Sequence, residues 1–336
     1  MKILLVKLSS LGDVVHTLPV VQDIRQALPD AQIDWVVEQG FAPLLAHAAG
    51  LRRVIPCDMR RWRKSFWTAV TRREWQAFKA RLRDEAYDAV IDLQGLTKSA
   101  VIARLARLAD GGRRYALANQ TDGSGYEAPT RWVADTAIPI EPHTHAVQRG
   151  RLLCAAALGY TVQGAPDFGL RVDGAAAGRD GRPVVAFVHG TSRVDKTWPV
   201  DHWVALGRRL IAAGFDIGLP HGNDAELLTS QTLADALNHD RLDTLNAVVW
   251  PRLSLDAMTE ALVRCAGVIG VDSGLSHIAV ALDLPHVQLY NFDTAWRTGP
   301  LDARRQRSVY AQPAPSVDAV WLAWQACSAQ ALTAAA

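Results

Sequence analysis

The sequence is poor in cysteine: Cys57, Cys154, Cys265 and Cys327 are far apart, and none belongs to a CxxC pair or a Cys/His cluster. That excludes a disulfide framework and a structural zinc site, and it fits reduced thiols. No uncharged apolar run reaches the roughly 18 residues a membrane-spanning helix needs. The first residues lack the charged-then-apolar pattern of a secretion signal, so the expected location is the cytoplasm. Charge of one sign is also scarce, with a net +2 over 336 residues, too little to argue for nucleic-acid binding. There are no paired aspartates, no DxD run and no histidine cluster, so the expectation is neither a metal nor a cofactor.

What is present is alternation. Short apolar strands at Lys2–Leu8, Gln32–Glu38 and Asp88–Leu93 are interleaved with helical stretches over Val14–Leu28, Glu74–Asp84, Leu96–Leu108 and His145–Leu158. A Gly/Ala-rich linker without apolar periodicity follows at Val172–Pro183. A second series then runs from strand Val184–His189 through helix Val200–Ala213, strand Phe215–Leu219, helices Ala225–Leu237 and Leu255–Cys265, strand Val268–Val271 and helix Leu275–Leu282 to strand His286–Tyr290. This pattern predicts an α/β protein with two doubly wound, Rossmann-like parallel sheets, since a chain of this length exceeds one core of about 150 residues. The expected domains are residues 1–173 and 184–315, with a final helix over Val317–Gln330 packing on the body and a frayed tail. Two such sheets are expected to face a central cleft, because ligands bind beyond the carboxyl ends of parallel strands.

The junctions between strands and helices carry the chemistry. VDSGLSH, Val271 to His277, joins a strand to a helix: Asp272 or Ser273 can cap, Gly274 permits close approach, and the first-turn N–H groups favour phosphate. An ordinary capped turn would use the same residues. HGTSRVDKTWP, His189 to Pro199, supplies the hydroxyls of Thr191 and Ser192 and the ammonium of Lys196, a set suited to phosphate oxygens. PHGNDAE puts Glu226 in the first turn of a helix, where a carboxylate can accept ribose hydroxyls or simply favour the helix dipole. Leu253 in PRLSL can cover an adenine face or belong to the core. Together these residues describe a nucleoside diphosphate site. At the amino end, SSLGD carries one carboxylate, Asp13, either an N-cap or a catalytic group.

Between Leu51 and Arg83 the sequence is strongly basic, with Trp62, Phe66, Trp67 and Trp75 interleaved. Such a run is either a solvated helix face or a patch for an anionic ligand or lipid headgroups.

KLSSLGDVVHTLP, DLQGLTKSA, HGTSRVDKTWP and VDSGLSH, in this order and spanning nearly the whole chain, resemble the inverting glycosyltransferases of family 9, the ADP-heptose:lipopolysaccharide heptosyltransferases. The resemblance implies a GT-B architecture and metal-independent transfer of L-glycero-D-manno-heptose from ADP-heptose to the inner Kdo of Kdo-lipid A. It implies catalytic roles for Asp13, as base, and Lys196. Thr191, Ser192, Lys196, Glu226, Leu253, Asp272, Ser273, Gly274 and His277 would hold the donor. Leu253 and Ser273 stand where close relatives have Met and Thr, and keep the contact type. The acceptor, anionic through its Kdo carboxylates and lipid A phosphates, would lie against Ser10, Gly12, Arg60, Arg61, Arg63, Lys64, Gln94 and Lys98. A monomer acting peripherally on the inner face of the inner membrane is the corresponding expectation. The alternatives are a GT-B enzyme with another nucleotide sugar or acceptor, such as a later heptosyltransferase, and a non-catalytic nucleotide-binding protein of the membrane surface. As an exposed carboxylate with a pKa of about 3.9, Asp13 would be a weak base, and some desolvation on cleft closure is expected.

Overall fold

The computed structural model describes residues 1–172, 182–239, 245–301 and 304–334. Most of the expected linker Val172–Pro183, and the last residues of the tail, lie outside the described residues. The chain divides into two units, Met1–Arg171 and Val172–Ala336. Unit 1 contains β1 (Lys2–Val6), α1 (Leu11–Thr17), α2 (Pro19–Ala27), β2 (Gln32–Glu38), α3 (Ala42–Leu45), β3 (Leu51–Cys57), α4 (Met59–Ser65), α5 (Ala69–Arg83), β4 (Ala86–Asp92), α6 (Thr97–Leu105), β5 (Arg107–Leu117), α7 (Pro129–Val133), β6 (Thr136–Ile138) and α8 (Ala146–Leu158). Its strands form one parallel sheet in the order β3-β2-β1-β4-β5-β6.

Unit 2 contains β7 (Val184–Val188), α9 (Val200–Ala212), β8 (Asp216–Leu219), α10 (Asp224–Asn238), β9 (Ala247–Val249), α11 (Leu255–Val263), β10 (Gly267–Val271), α12 (Gly274–Ala281), β11 (His286–Tyr290), α13 (Ala295–Thr298), β12 (Gln306–Tyr310) and α14 (Val317–Ala334). Its order, β12-β11-β10-β7-β8-β9, repeats that of unit 1 when its strands are counted from β7. Each sheet therefore reverses direction once, between β1 and β4 and between β7 and β10, and such a reversal opens a crevice at the carboxyl ends of the two strands.

The central strands are the ones that continuous apolar runs announce. β1, β4, β7 and β10 are buried along almost their whole length, as strands covered on both faces must be. Five strands carry no such signal: β3, β5, β6, β9 and β12 lie toward or at the sheet edges and are short, glycine-interrupted or polar. In β3 the polar character is used, since Arg52 and Arg53 pair with the buried Asp34 of β2 at 2.7 and 3.1 Å.

The expected helix over Val14–Leu28 is two helices. Pro19 opens α2, having no N–H to continue the ladder of α1, and α1 itself starts earlier, at Leu11 behind its N-cap Ser10. Helix α5 also starts earlier than Glu74, because Thr68 caps it by accepting from the Thr71 N–H at 3.2 Å. Helix α8 is held to α2 by Arg151, which is fully buried and makes two hydrogen bonds to Asp23 at 2.7 and 2.8 Å. In unit 2, α14 packs on β11, β12 and α9, with Trp324 buried edge-on against Phe215.

Gly270 of β10 sits where α12 presses on the strand: a Cβ there would lie 2.4 Å from Ser276 Oγ and 2.8 Å from Val188 Cβ. Gly270→Ala should therefore lower unfolding stability by about 1–3 kcal/mol, the usual cost of overpacking, measured by urea denaturation. An unchanged midpoint would show that α12 moves away freely.

Candidate active site

The reversal point of unit 1 is built around Asp13. Its Oδ2 accepts from the Ser10 backbone N–H and from Ser10 Oγ, both at 2.9 Å, so Asp13 is the third helical residue of a capping box and not the N-cap itself. Its Oδ1 faces two cations at 3.7 Å, Lys7 Nζ and an Arg149 guanidinium nitrogen. Lys7 is buried at the end of β1 and donates to the Leu93 carbonyl at 3.0 Å; Arg149 comes from α8 and donates to Thr121 Oγ1 at 3.0 Å. Burial works against ionisation of Asp13, but Lys7, the Ser10 N–H, Arg149 and His16 together outweigh it and hold the carboxyl well below the usual range. A small pocket beside it is lined by Lys7, Asp13, His16, Thr17, Leu93 and Arg149, among others. Burial is the largest single influence on this carboxyl, and only the sum of its cationic and hydrogen-bonding neighbours outweighs it.

The loop around Asp13 is fixed from β4. Gln94 Oε1 accepts from the Leu8 and Ser9 N–H groups at 3.0 Å, and Lys98 Nζ donates to Ser9 Oγ at 2.8 Å. Asp92 turns the chain after β4 by accepting from the Gln94 and Gly95 N–H groups and from Ser99 Oγ, and its burial raises its pKa to about 6. Gln94 and Lys98 are therefore part of the scaffold that shapes the Ser10–Gly12 turn.

The basic segment divides. Trp62, Trp75 and Phe78 stack within 5.4 to 5.7 Å of one another beneath α4 and α5, so Trp62 and Trp75 belong to the packing of these helices. Arg61 bonds Asp58 and Glu74 at the surface of α4 and α5. Arg60 and Lys98 lie close enough to Glu38, at the end of β2, to oppose the rise in its pKa that burial causes. Arg63 and Lys64 are exposed in the last turn of α4.

In unit 2 the reversal point carries Asp272. Its Oδ2 accepts from Lys196 Nζ at 2.5 Å; its Oδ1 lies 3.4 Å from His277 Nε2 and accepts from Gln288 at 3.4 Å and Thr298 Oγ1 at 3.3 Å. Burial opposes the charge on Asp272, yet His277 and Lys196 more than offset it and hold the carboxyl below its usual range. Lys196 is thus tethered, because the loop after β7 and the end of neighbouring β10 bring it and Asp272 together. Ser273 is the N-cap of α12 by position, but its Oγ caps nothing and is buried with no hydrogen-bond partner among the described residues. Gly274 begins the helix. Glu226 accepts from the Gly222 N–H at 2.7 Å and lies so close over Gly190 that a Cβ there would be 2.8 Å from its Oε1. Thr191 and Ser192 lie in the loop after β7, and half-buried Leu253 in the loop after β9.

Sequence reasoning passed over Lys7, His16 and Arg149 near Asp13, and Gln288 and Thr298 near Asp272. A lysine closing an apolar strand was a usable signal for Lys7. Arg149 had none, since α8 reaches Asp13 only through tertiary packing.

Two parallel sheets of the same reversed order, each with a charged loop at its reversal point, make a GT-B-like α/β protein. The sequence pattern described as glycosyltransferase family 9 (heptosyltransferase) matches residues 75–320. The lipopolysaccharide heptosyltransferase 1 of Pseudomonas aeruginosa is 40% identical over 291 residues, 86% of this chain and 78% of that protein. That of Escherichia coli K12 is 38% identical over 293 residues, 86% of this chain and 88% of the relative. The structure of the E. coli heptosyltransferase WaaC with ADP superposes with a TM-score of 0.79 and 33% identity, covering 99% of this chain and 98% of that one. The chain belongs to glycosyltransferase family 9.

If Lys7 and Arg149 hold Asp13 ionised, Arg149→Met should shift the Asp13 carboxyl titration upward, toward the ordinary range. Carbon-detected NMR of the carboxyl measures this directly, and an unmoved titration would remove Arg149 from the balance.

Proposed function

We propose that the chain transfers L-glycero-D-manno-heptose from ADP-heptose to the inner Kdo of Kdo-lipid A, in the assembly of the lipopolysaccharide inner core, by one inverting displacement that requires no metal. The observation that carries this reading is Asp13, a carboxylate kept ionised at the reversal point of unit 1. In unit 2, Lys196, the Ser273 hydroxyl, which has no hydrogen-bond partner among the described residues, and the amino end of α12 form a group of donors suited to a diphosphate. The ADP in the WaaC relative and the heptosyltransferase 1 names of the two curated relatives support the same donor and acceptor.

In this mechanism the Kdo hydroxyl oxygen attacks the anomeric carbon of the heptose while the bond to the ADP oxygen breaks and its electron pair leaves with the diphosphate. The proton of the attacking hydroxyl passes to Asp13. A carboxylate of such low basicity is a poor acceptor from a neutral alcohol, but the attacking oxygen becomes strongly acidic as its new bond forms. Proton transfer is therefore late, and the larger share of the rate comes from stabilising the departing diphosphate. Lys196, Ser273, Gly274, Thr191 and Ser192 meet that charge; Glu226 takes the ribose, Leu253 the adenine, and Asp272 with His277 orients Lys196. Ser10, Gly12, Arg60 and Lys98, backed by Gln94, hold the Kdo region of the acceptor, and Arg63 and Lys64 the lipid A phosphates. A lipid-borne acceptor places the enzyme peripherally at the cytoplasmic face of the inner membrane.

Asp13→Ala should lower kcat by on the order of 10²–10⁴ with little change in KM for ADP-heptose, the usual cost of losing a general base; ADP release from ADP-heptose with a Kdo-bearing acceptor measures it. Turnover within a few-fold of the parent would remove Asp13 from the reaction. Lys196→Ala should weaken ADP and ADP-heptose together in calorimetric titration, and a chelator should leave turnover unchanged. Activity lost in chelator and restored by magnesium would overturn the metal-free reading.

A further inference from the structure

The turn between α4 and α5 presents an apolar tip to solvent. Trp67 is 89% exposed, Val70 60% and Phe66 47%. The Phe66 and Trp67 rings are edge-to-face at 6.4 Å, and Val70 follows in the first turn of α5. The turn itself is well tied. Thr68 Oγ1 donates to the Ser65 carbonyl at 3.0 Å, the Ser65 and Thr71 hydroxyls are 2.9 Å apart, and Thr68 caps α5. Below it, Trp62, Trp75 and Phe78 lock the two helices together. A rigid support thus holds three large apolar groups in water, an arrangement that contributes nothing to the core.

The surroundings are of one sign. No acidic residue occurs between Arg60 and Arg73, and Arg63, Lys64, Arg72 and Arg73 are all exposed. None of these four enters an ion pair among the described residues; the nearby acids Asp58 and Glu74 are both taken by Arg61. An apolar tip with a basic collar matches one kind of surface, the headgroup boundary of an anionic bilayer. There the rings reach the acyl boundary and the cations meet lipid phosphates. No helix among the described residues is long and apolar enough to cross a membrane, so the attachment would be interfacial.

We propose that Phe66, Trp67 and Val70 insert into the interface of an anionic lipid bilayer, with Arg72 and Arg73 in the collar that draws the tip to it. This deepens the proposed reaction on a lipid-borne acceptor by assigning its docking surface, and it rests on that reading only for its biological purpose. The test uses the whole protein and needs no acceptor: cosedimentation with phosphatidylglycerol-containing vesicles and with pure phosphatidylcholine vesicles. The parent should bind the anionic vesicles, less in high salt, and bind the neutral ones weakly. The double change Phe66→Ser with Trp67→Ser should weaken binding to anionic vesicles at least about tenfold, the effect of losing one to two buried apolar side chains. Arg72→Glu with Arg73→Glu should abolish the preference for anionic lipid. Both variants should keep parental turnover on a water-soluble, deacylated Kdo acceptor, which also shows that they fold. Equal vesicle binding by the Ser variant and the parent, or no binding by the parent, would overturn the proposal. Failure of every form to turn over the soluble acceptor would instead overturn the proposed reaction and leave the vesicle result to stand alone.

Discussion

The arrangement of charge in this protein depends on one constraint, the reversal of strand order between β1 and β4 and again between β7 and β10. A parallel sheet sends its connections to one face until the order reverses, and the two loops that leave the reversal diverge to opposite faces. The gap between them is lined by strand ends and first helical turns, where N–H groups are unpaired and polar side chains are tolerated beside a buried sheet. Asp13 and Gln94 occupy one such place, and Lys196 and Asp272 the other.

Each reversal point also sets a buried charge against an opposite one, and at Lys7 burial still lowers the pKa. Lys7 and Asp272 lie at strand ends where burial alone would neutralise them. Opposite charges at close range oppose that outcome, Asp13 for the lysine and Lys196 with His277 for the aspartate. The two networks differ in tightness. Lys196 and Asp272 are in direct hydrogen-bond contact, whereas Asp13 stands 3.7 Å from both its cations and has its other oxygen fixed by Ser10. The looser pairing leaves one Asp13 oxygen 3.7 Å from two cations while Ser10 holds the other.

The basic segment shows why charge and aromatic content in a sequence do not assign a role. Within a stretch that reads as one patch, Trp62 and Trp75 are packing, Arg61 is ion-paired at the surface, Arg60 stands with Lys98 near Glu38, and Trp67 is open to solvent. Helical periodicity separates these fates. Trp62 falls on the face of α4 that meets Phe78 of α5, while Phe66 and Trp67 fall where the chain turns and no element covers them.

The sequence by itself determined the parallel α/β class, the central strands, the tandem units and the loops that carry Asp13, Lys196 and Asp272, because apolar runs and capping residues act over a few neighbouring positions. It also carried enough of four motifs to place the chain in its family. It was silent on the outer strands β3, β5, β6, β9 and β12, whose pairing comes from neighbours rather than from their own apolar content. Helix α1 ended earlier than its periodicity suggested because Pro19 cannot donate to the ladder. Only the tertiary structure decided that Arg149, carried on a helix anchored through Arg151 and Asp23, reaches Asp13, and that Lys196 is tethered to Asp272. Those outcomes depend on Coulomb and hydrogen-bond partners remote in sequence, and such partners become neighbours only when the sheets have formed.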